Sequence, residues 1–141
     1  MIKYTTGFAF DKKLENVLLI RKNRPEWQKG KLNGLGGLIE HDEIPILSLI
    51  REFEEECGIK TNVYMWTHIS TIYGDVWCVD FFSCICDITK ATKTTDENIE
   101  IIPINQLYKH SCVNSISWLI PLAIYWMSNP YQPNGKIIVN L

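Results

Sequence analysis

One stretch near the middle of the chain repeats its apolar residues with a helical period. Ile46, Leu49, Ile50, Phe53 and Cys57 fall on a single stripe, the spacing of a helix that buries one face. Around it lie β-branched and aromatic runs at 2–10, 17–20, 61–72 and 76–88. Runs of that kind, separated by polar turn segments, predict strands. An amphipathic helix among strands must cover one face of a sheet. A second apolar segment, 114–127, predicts the helix for the other face. The pattern therefore predicts an α+β fold: an α/β/α sandwich around a mixed, largely antiparallel sheet. With 141 residues, one domain over 1–141 is expected.

The first helix is expected to begin near residues 43–45, with Pro45 in the turn that tolerates proline, and to end at Gly58. Runs 2–10 and 17–20 predict a hairpin. Runs 61–72 and 76–88 predict another around Tyr73-Gly74-Asp75. Residues 100–104 predict a short strand, with Pro103 marking its end or a sheet edge. The second helix is expected to take Asn114 or Ser115 as N-cap and to kink at Pro121. Trp118, Leu122, Tyr125 and Trp126 are expected in the core. Residues 129–135 read as a turn and 136–140 as an edge strand.

The helix at 45–57 carries an electrostatic anomaly. Glu52, Glu55 and Glu56 crowd one flank of its stripe at i, i+3 and i+4. Like charges at that spacing repel, and the dipole of a helix C-terminus disfavours them further. A helix that keeps both costs implies a missing cation. Hard divalent ions, Mg2+ above all, take carboxylate oxygens and bring phosphates with them. Glu54 falls on the other flank and reads as solvated. Arg51 precedes Glu55 by four residues and can pair with it.

The approach to this helix is equally suggestive. The segment 32–37, LNGLGG, reads as a glycine-rich turn whose backbone can approach a ligand closely. The loop before it carries Arg21, Lys22, Arg24, Lys29 and Lys31. It is either a solvated loop or a rim facing phosphate. Trp27 either packs on its own scaffold or offers a stacking platform for a base. Asp80 lies either on an exposed strand face or near the site.

The stretch 37–59 resembles the Nudix box at every fixed position. That pattern is Gly, five residues, Glu, seven residues, then Arg-Glu-U-x-Glu-Glu-x-Gly-U, with U bulky and apolar. Here it reads Gly37, Glu43, Arg51, Glu52, Phe53, Glu55, Glu56, Gly58 and Ile59. The resemblance implies a Mg2+-dependent hydrolase, with Mn2+ as a substitute, acting on a nucleoside diphosphate linked to another group. It implies that Glu52, Glu55 and Glu56 hold metal with a backbone carbonyl near Gly37. Glu52 would be the general base, Arg51 would orient a carboxylate, and Glu43 would support the loop. Residues 33–37 are also similar to the Asn-Gly-x-Gly-Gly of Nudix enzymes that clear oxidised purine nucleoside triphosphates from the nucleotide pool. That similarity implies that Asn33 reads the purine edge, Trp27 lines the base pocket and Asn114 adds a base contact. Arg21, Lys22 and Gly36 are the remaining candidates for substrate binding. An Asn amide offers the donor and acceptor a purine edge requires. The other reading of Asn33 is a turn residue bonded to its own backbone. The chain departs from those enzymes at Leu38, where several have Lys, and near Asn114 and Ser115, where some place an acidic pair.

The expected reaction is hydrolysis of a purine or oxidised purine nucleoside triphosphate, 8-oxo-dGTP-like, to the monophosphate and pyrophosphate. The alternatives are a hydrolase of ADP-ribose or a dinucleoside polyphosphate, or a nucleotide-binding module without turnover. Erosion of the box glutamates would mark the last, and none is eroded. A net charge of −2 gives no pull toward a nucleic acid polymer or an anionic membrane. No apolar run reaches the length of a membrane span, and the first residues do not read as a signal peptide. Five cysteines without a C-x-x-C pair predict reduced thiols in a cytoplasmic protein and no zinc site. His41, His68 and His110 are scattered, without the spacing of a nucleophilic triad. The partner expected is a nucleotide, and the chain is expected to be a monomer or a homodimer. Glu97 and Glu100 stand in a late loop of open role, available as an extra ligand.

Overall fold

The computed structural model describes residues 1–129 and 137–141. Among them, eight strands form one mixed sheet. Strand β1 (Ile2–Phe10) runs through its centre. On one edge β1 pairs in parallel with β6 (Trp77–Ile85) along its whole length. Its other edge is shared. Strand β4 (Leu35–Leu38) takes Tyr4–Gly7, and β2 (Asn16–Arg21) takes Ala9 and Phe10. Beyond β2 lie the short β3 (Leu32–Asn33) and β7 (Asn98–Pro103). Beyond β6 lie β5 (Thr67–Tyr73) and then β8 (Ile137–Asn140), which is parallel to β5.

The strands alternate between two cores, as a sheet covered on both faces requires. Phe8, Phe10, Val17, Leu19 and Phe81 face helix α2 (Ile116–Ser128). Ala9, Leu18, Ile20, Phe82 and Cys84 face helix α1 (Pro45–Cys57). The expected α+β sandwich is the fold observed. Helix α1 begins with Ile44 as N-cap and Pro45 as its first residue. It ends at Gly58, whose φ of 77° is left-handed, a conformation that glycine adopts without a Cβ penalty.

Four expectations need correction. The segment 32–37 is not a turn but strands β3 and β4. Its glycines serve close packing: a Cβ at Gly34 would lie 2.6 Å from Thr6 Cγ2, and one at Gly36 would lie 2.0 Å from the Thr5 carbonyl oxygen. Residues 2–10 and 17–20 pair only at Ala9 and Phe10, because β4 occupies the rest of that edge. Strand β5 starts at Thr67. Before it, Asn62 Oδ1 accepts the Tyr64 N–H and turns residues 63–65 into a 3-10 helix, a local bond that outcompetes strand propensity. Finally, the buried face of α2 is Ile116, Leu119, Ile120 and Ala123. Trp118 and Tyr125 are exposed. Trp118 and Leu122 instead line a groove with Ile72, Val139 and Leu141.

Ser115 is the α2 N-cap, but its side chain makes no capping bond. Ser117 Oγ donates to the Asn114 carbonyl instead. The edge strand expected at 136–140 is present as β8. The turn expected over 129–135 lies, beyond Asn129, outside the described residues. All five cysteines are free thiols. No helix among the described residues is long and apolar enough to cross a membrane.

Candidate active site

Helix α1 lies across β1 and β4, and glycines set how closely. A Cβ at Gly7 would meet Leu49 Cδ1 at 2.9 Å, and a Cβ at Gly37 would lie 2.6 Å from the Glu52 carboxyl carbon. Glu52 thus rests against bare backbone. One turn later the Gly36 N–H donates to Glu56 Oε1 at 2.6 Å. The Glu56 residue is only 7% exposed. Burial pushes its carboxyl up to about 7, against the Gly36 hydrogen bond and the charge of Lys22; Glu52 and Glu97 push the same way as burial. Glu55 is mostly exposed, and Glu54 is exposed on the opposite flank.

Arg51 ties this flank together. Its Nε donates to Glu43 Oε1 at 2.7 Å, and a second guanidinium nitrogen donates to Glu43 Oε2 at 2.9 Å. Its remaining nitrogen donates to Glu52 Oε1 at 2.8 Å. Glu55, the partner expected from helical spacing, is more distant at 3.4 Å. Glu43 Oε2 also accepts the Glu40 N–H, so Glu43 stitches the 38–44 connection to the helix. The Arg51 hydrogen bonds hold the Glu43 carboxyl down at about 2. Bonds to Glu43, then Glu52, raise Arg51 in turn.

The second wall is the loop 22–31. The main chain of Leu32 bonds to Ser111 and Val113, so Asn114 follows closely on β3, but it is exposed and lines the groove beside α2 with Ile72 and Trp118. Asn33 is half-buried. Its Oδ1 accepts the Gly34 N–H at 2.8 Å and its Nδ2 donates to Gln28 Oε1 at 3.1 Å. Trp27 stands out at 62% exposure on a single 3-10 turn. Arg21 is turned onto Glu100, with bonds of 2.5 and 2.9 Å, and onto the Gly30 carbonyl. The Glu100 hydrogen bond raises Arg21, and Arg21 lowers Glu100. Lys22 Nζ donates to Glu97 Oε1 at 3.1 Å. Asp80 is away from this wall, bonded to Thr71 and His68 on β5.

The NUDIX domain profile matches residues 4–118, most of the chain. The chain belongs to the Nudix family. It is a Nudix hydrolase, an enzyme of pyrophosphate bonds. Solved structures share its fold. A MutT described for Aliivibrio salmonicida and Vibrio cholerae superposes with a TM-score of 0.75 at 18% identity, over 88% of this chain and 97% of that one. The mutator MutT protein of Bacillus halodurans gives 0.66 at 17%, over 86% and 80%. The NUDIX domain of Shewanella oneidensis NrtR, complexed with ADP ribose, gives 0.76 at 12%, over 90% and 88%. No curated protein matches the chain in sequence. At 12–18% identity these likenesses show a shared fold.

The carboxylates of the α1 flank are hard oxygen donors, the type a divalent ion takes. Gly37 leaves a cradle beside Glu52 that a Cβ would fill. Glu56 is buried with Glu52 and Glu97 as like-charged neighbours and Lys22 as a cation facing it. Among the described residues, no three His, Cys, Asp or Glu side chains converge as a ready cage. A divalent ion held here would take the rest of its oxygen shell from backbone, water or substrate. Sequence reasoning left Glu97 open. It is 7% exposed and bonded to Lys22 and to the Asn23 N–H at 2.6 Å. Gln28 was missed altogether. Its signal is weak: a polar loop residue five before Asn33, within reach only because the loop folds back.

Proposed function

We propose that this Nudix enzyme hydrolyses a purine nucleoside triphosphate, ordinary or oxidised, to the monophosphate and pyrophosphate. The observation behind this reading is that Lys22 and Glu97 stand beside the buried Glu56, while the same loop carries Trp27 and the Gln28 that holds Asn33. The first group matches a charged phosphate chain, the second a flat base with polar edges. Mg2+, or Mn2+ in its place, would be held by Glu52, Glu55, Glu56 and the Gly37 backbone, and would neutralise the phosphates and acidify the attacking water. Glu52 accepts that water's proton while the water oxygen bonds to phosphorus and pyrophosphate leaves with the cleaved bridging oxygen. Arg51 aims Glu52 and is itself aimed by Glu43. Gly36 presents a side-chain-free surface, its N–H being held by Glu56 Oε1. Lys22 offers its ammonium to phosphate from beside Glu97, and Arg21 acts through the loop it holds. Asn33 reads the base by exchanging its Gln28 bond for one to the purine. A nucleotide, rather than a nucleic acid polymer, suits a chain whose net charge is −2.

A substrate panel with Mg2+ tests the proposal, using native and oxidised purine triphosphates, pyrimidine triphosphates and ADP-ribose. Purine triphosphates are expected to give the highest kcat/KM, with pyrophosphate as product. Turnover of ADP-ribose with none of any triphosphate would overturn it. The likeness to an ADP-ribose-bound NUDIX domain favours ADP-ribose as the second reading.

A further inference from the structure

The loop 22–31 has almost nothing apolar to hold it. Its 3-10 turn buries no residue, and residues 23–27 are all exposed. Ordering a segment of this length costs backbone entropy at every residue, so polar bonds must supply the order. The loop's own main chain supplies some, with Lys22 and Lys31 bonded, and Gly30 N–H to the Lys22 carbonyl. Asn33 holds Gln28 and Arg21 holds the Gly30 carbonyl, and a further set comes from one distant segment. Arg21 pairs with Glu100, Lys22 with Glu97, and Arg24 with Asp96 through both ends of its guanidinium at 2.8 and 3.0 Å. Asn23 donates from its main chain to Glu97 and from its side chain to the Asp96 carbonyl.

These bonds share a register. Strands β2 and β7 are antiparallel, with Arg21 opposite Asn98. One step further along, Lys22 meets Glu97; two steps further, Asn23 meets Asp96. Side chains thus continue the ladder past the last backbone pair. The continuation links the wall that carries Trp27 and Gln28 to the carboxylate that stands beside Glu56. We propose that Arg24 and Asp96 form a clasp that holds these two segments as one body. They are positioning residues for substrate binding and touch neither phosphate nor base. This assignment rests on the Nudix hydrolase reading of the site but not on which nucleotide is cleaved.

The test uses Arg24→Ala, Asp96→Ala and the charge-swapped Arg24→Asp/Asp96→Arg, assayed on whichever substrate of the panel the parent turns over best. Each single variant is expected to raise KM by about threefold or more with kcat within about twofold. The melting temperature should stay near the parent's, because exposed ion pairs add little stability. The swap should recover most of the lost KM. Amide hydrogen exchange on the substrate-free variants supplies the readout that needs no turnover. Each single change is expected to speed exchange in both 22–31 and 95–98, though it alters only one of them. Parent-like KM in both single variants, or a swap no better than they are, would overturn the clasp. So would faster exchange confined to the mutated segment. A parent that cleaves ADP-ribose and no triphosphate would sink the substrate reading and leave the clasp to be judged on ADP-ribose.

Discussion

The two helices are each 13 residues long and each covers one face of the same sheet, yet they divide the work unequally. Helix α2 has no charged residue. It buries Ile116, Leu119, Ile120 and Ala123 and leaves Trp118 and Tyr125 in the open. Helix α1 buries a similar stripe, with Leu49, Phe53 and Cys57, but sets Glu52 and Glu56 at its margin. A carboxylate at the solvent pole would keep an ordinary affinity for protons, and one under the helix would be too costly to ionise. At the edge, against the glycines of β4, Glu56 is poised between those limits, and Glu52 lies over bare backbone. Packing and the proposed chemistry share the helix by occupying adjacent strips of its surface.

That division can be broken from the chemical side first. Glu52→Gln is expected to slow hydrolysis by about 10²–10⁴-fold, with a melting temperature close to the parent's. A variant as fast as the parent would remove Glu52 from the proposed role of base. From the packing side the helices should behave alike. Leu49→Ala and Leu119→Ala, both fully buried, should each cost about 2–5 kcal/mol in urea unfolding. A cost confined to one of them would end the equivalence. Smaller effects follow from the joints of α1. Gly58→Ala forces a Cβ into the left-handed region at φ 77° and should cost about 1–2 kcal/mol, which a denaturant midpoint would register. Smallest is the acid limb. Glu43 has its carboxyl at about 2 in the fold against about 4.5 unfolded, so its bond to Arg51 stabilises above that range and is lost as pH falls from 4.5 toward 2. The exposed share of this pair limits the loss to about 1 kcal/mol. Glu43→Gln should flatten unfolding free energy across that window, and an unchanged slope would discount the bond.

Local regularities explain which of these features could be read from the residues. The stripe of α1, its start at Pro45, its stop at Gly58 and the β5–β6 hairpin each follow from a period or from a turn residue. Pro103 ends β7 as its missing N–H requires. Other features depend on partners distant in the chain. Arg21 read as a cation facing phosphate, because nothing near it announces Glu100, 79 residues away. Arg51 read as the partner of Glu55, since helical spacing says nothing of Glu43 folding back over the helix. The outer face of α2 read as core because apolar residues ring the whole helix. Only the sheet beneath decides which side is buried. The glycines of 34–37 read as a turn for the same reason: their role is to let β4 lie against β1, and β1 is some thirty residues earlier.

The placement of β1 has a consequence in time. Its full-length neighbour, β6, lies about 75 residues later in the chain, and its other edge is completed only by two separate segments. Contacts of such long range are slow to form, because the intervening chain must be closed before they give anything back. The strand at residues 2–10 therefore has both its edges covered during synthesis only once residue 85 has emerged. Strand β4, which carries Gly36 and Gly37, lies against a β1 that is half-paired until then. The hydrolytic site is thus expected to assemble late, after the β5–β6 hairpin, and folding followed by pulsed hydrogen exchange should find the amides of 35–38 protected no earlier than those of 77–85.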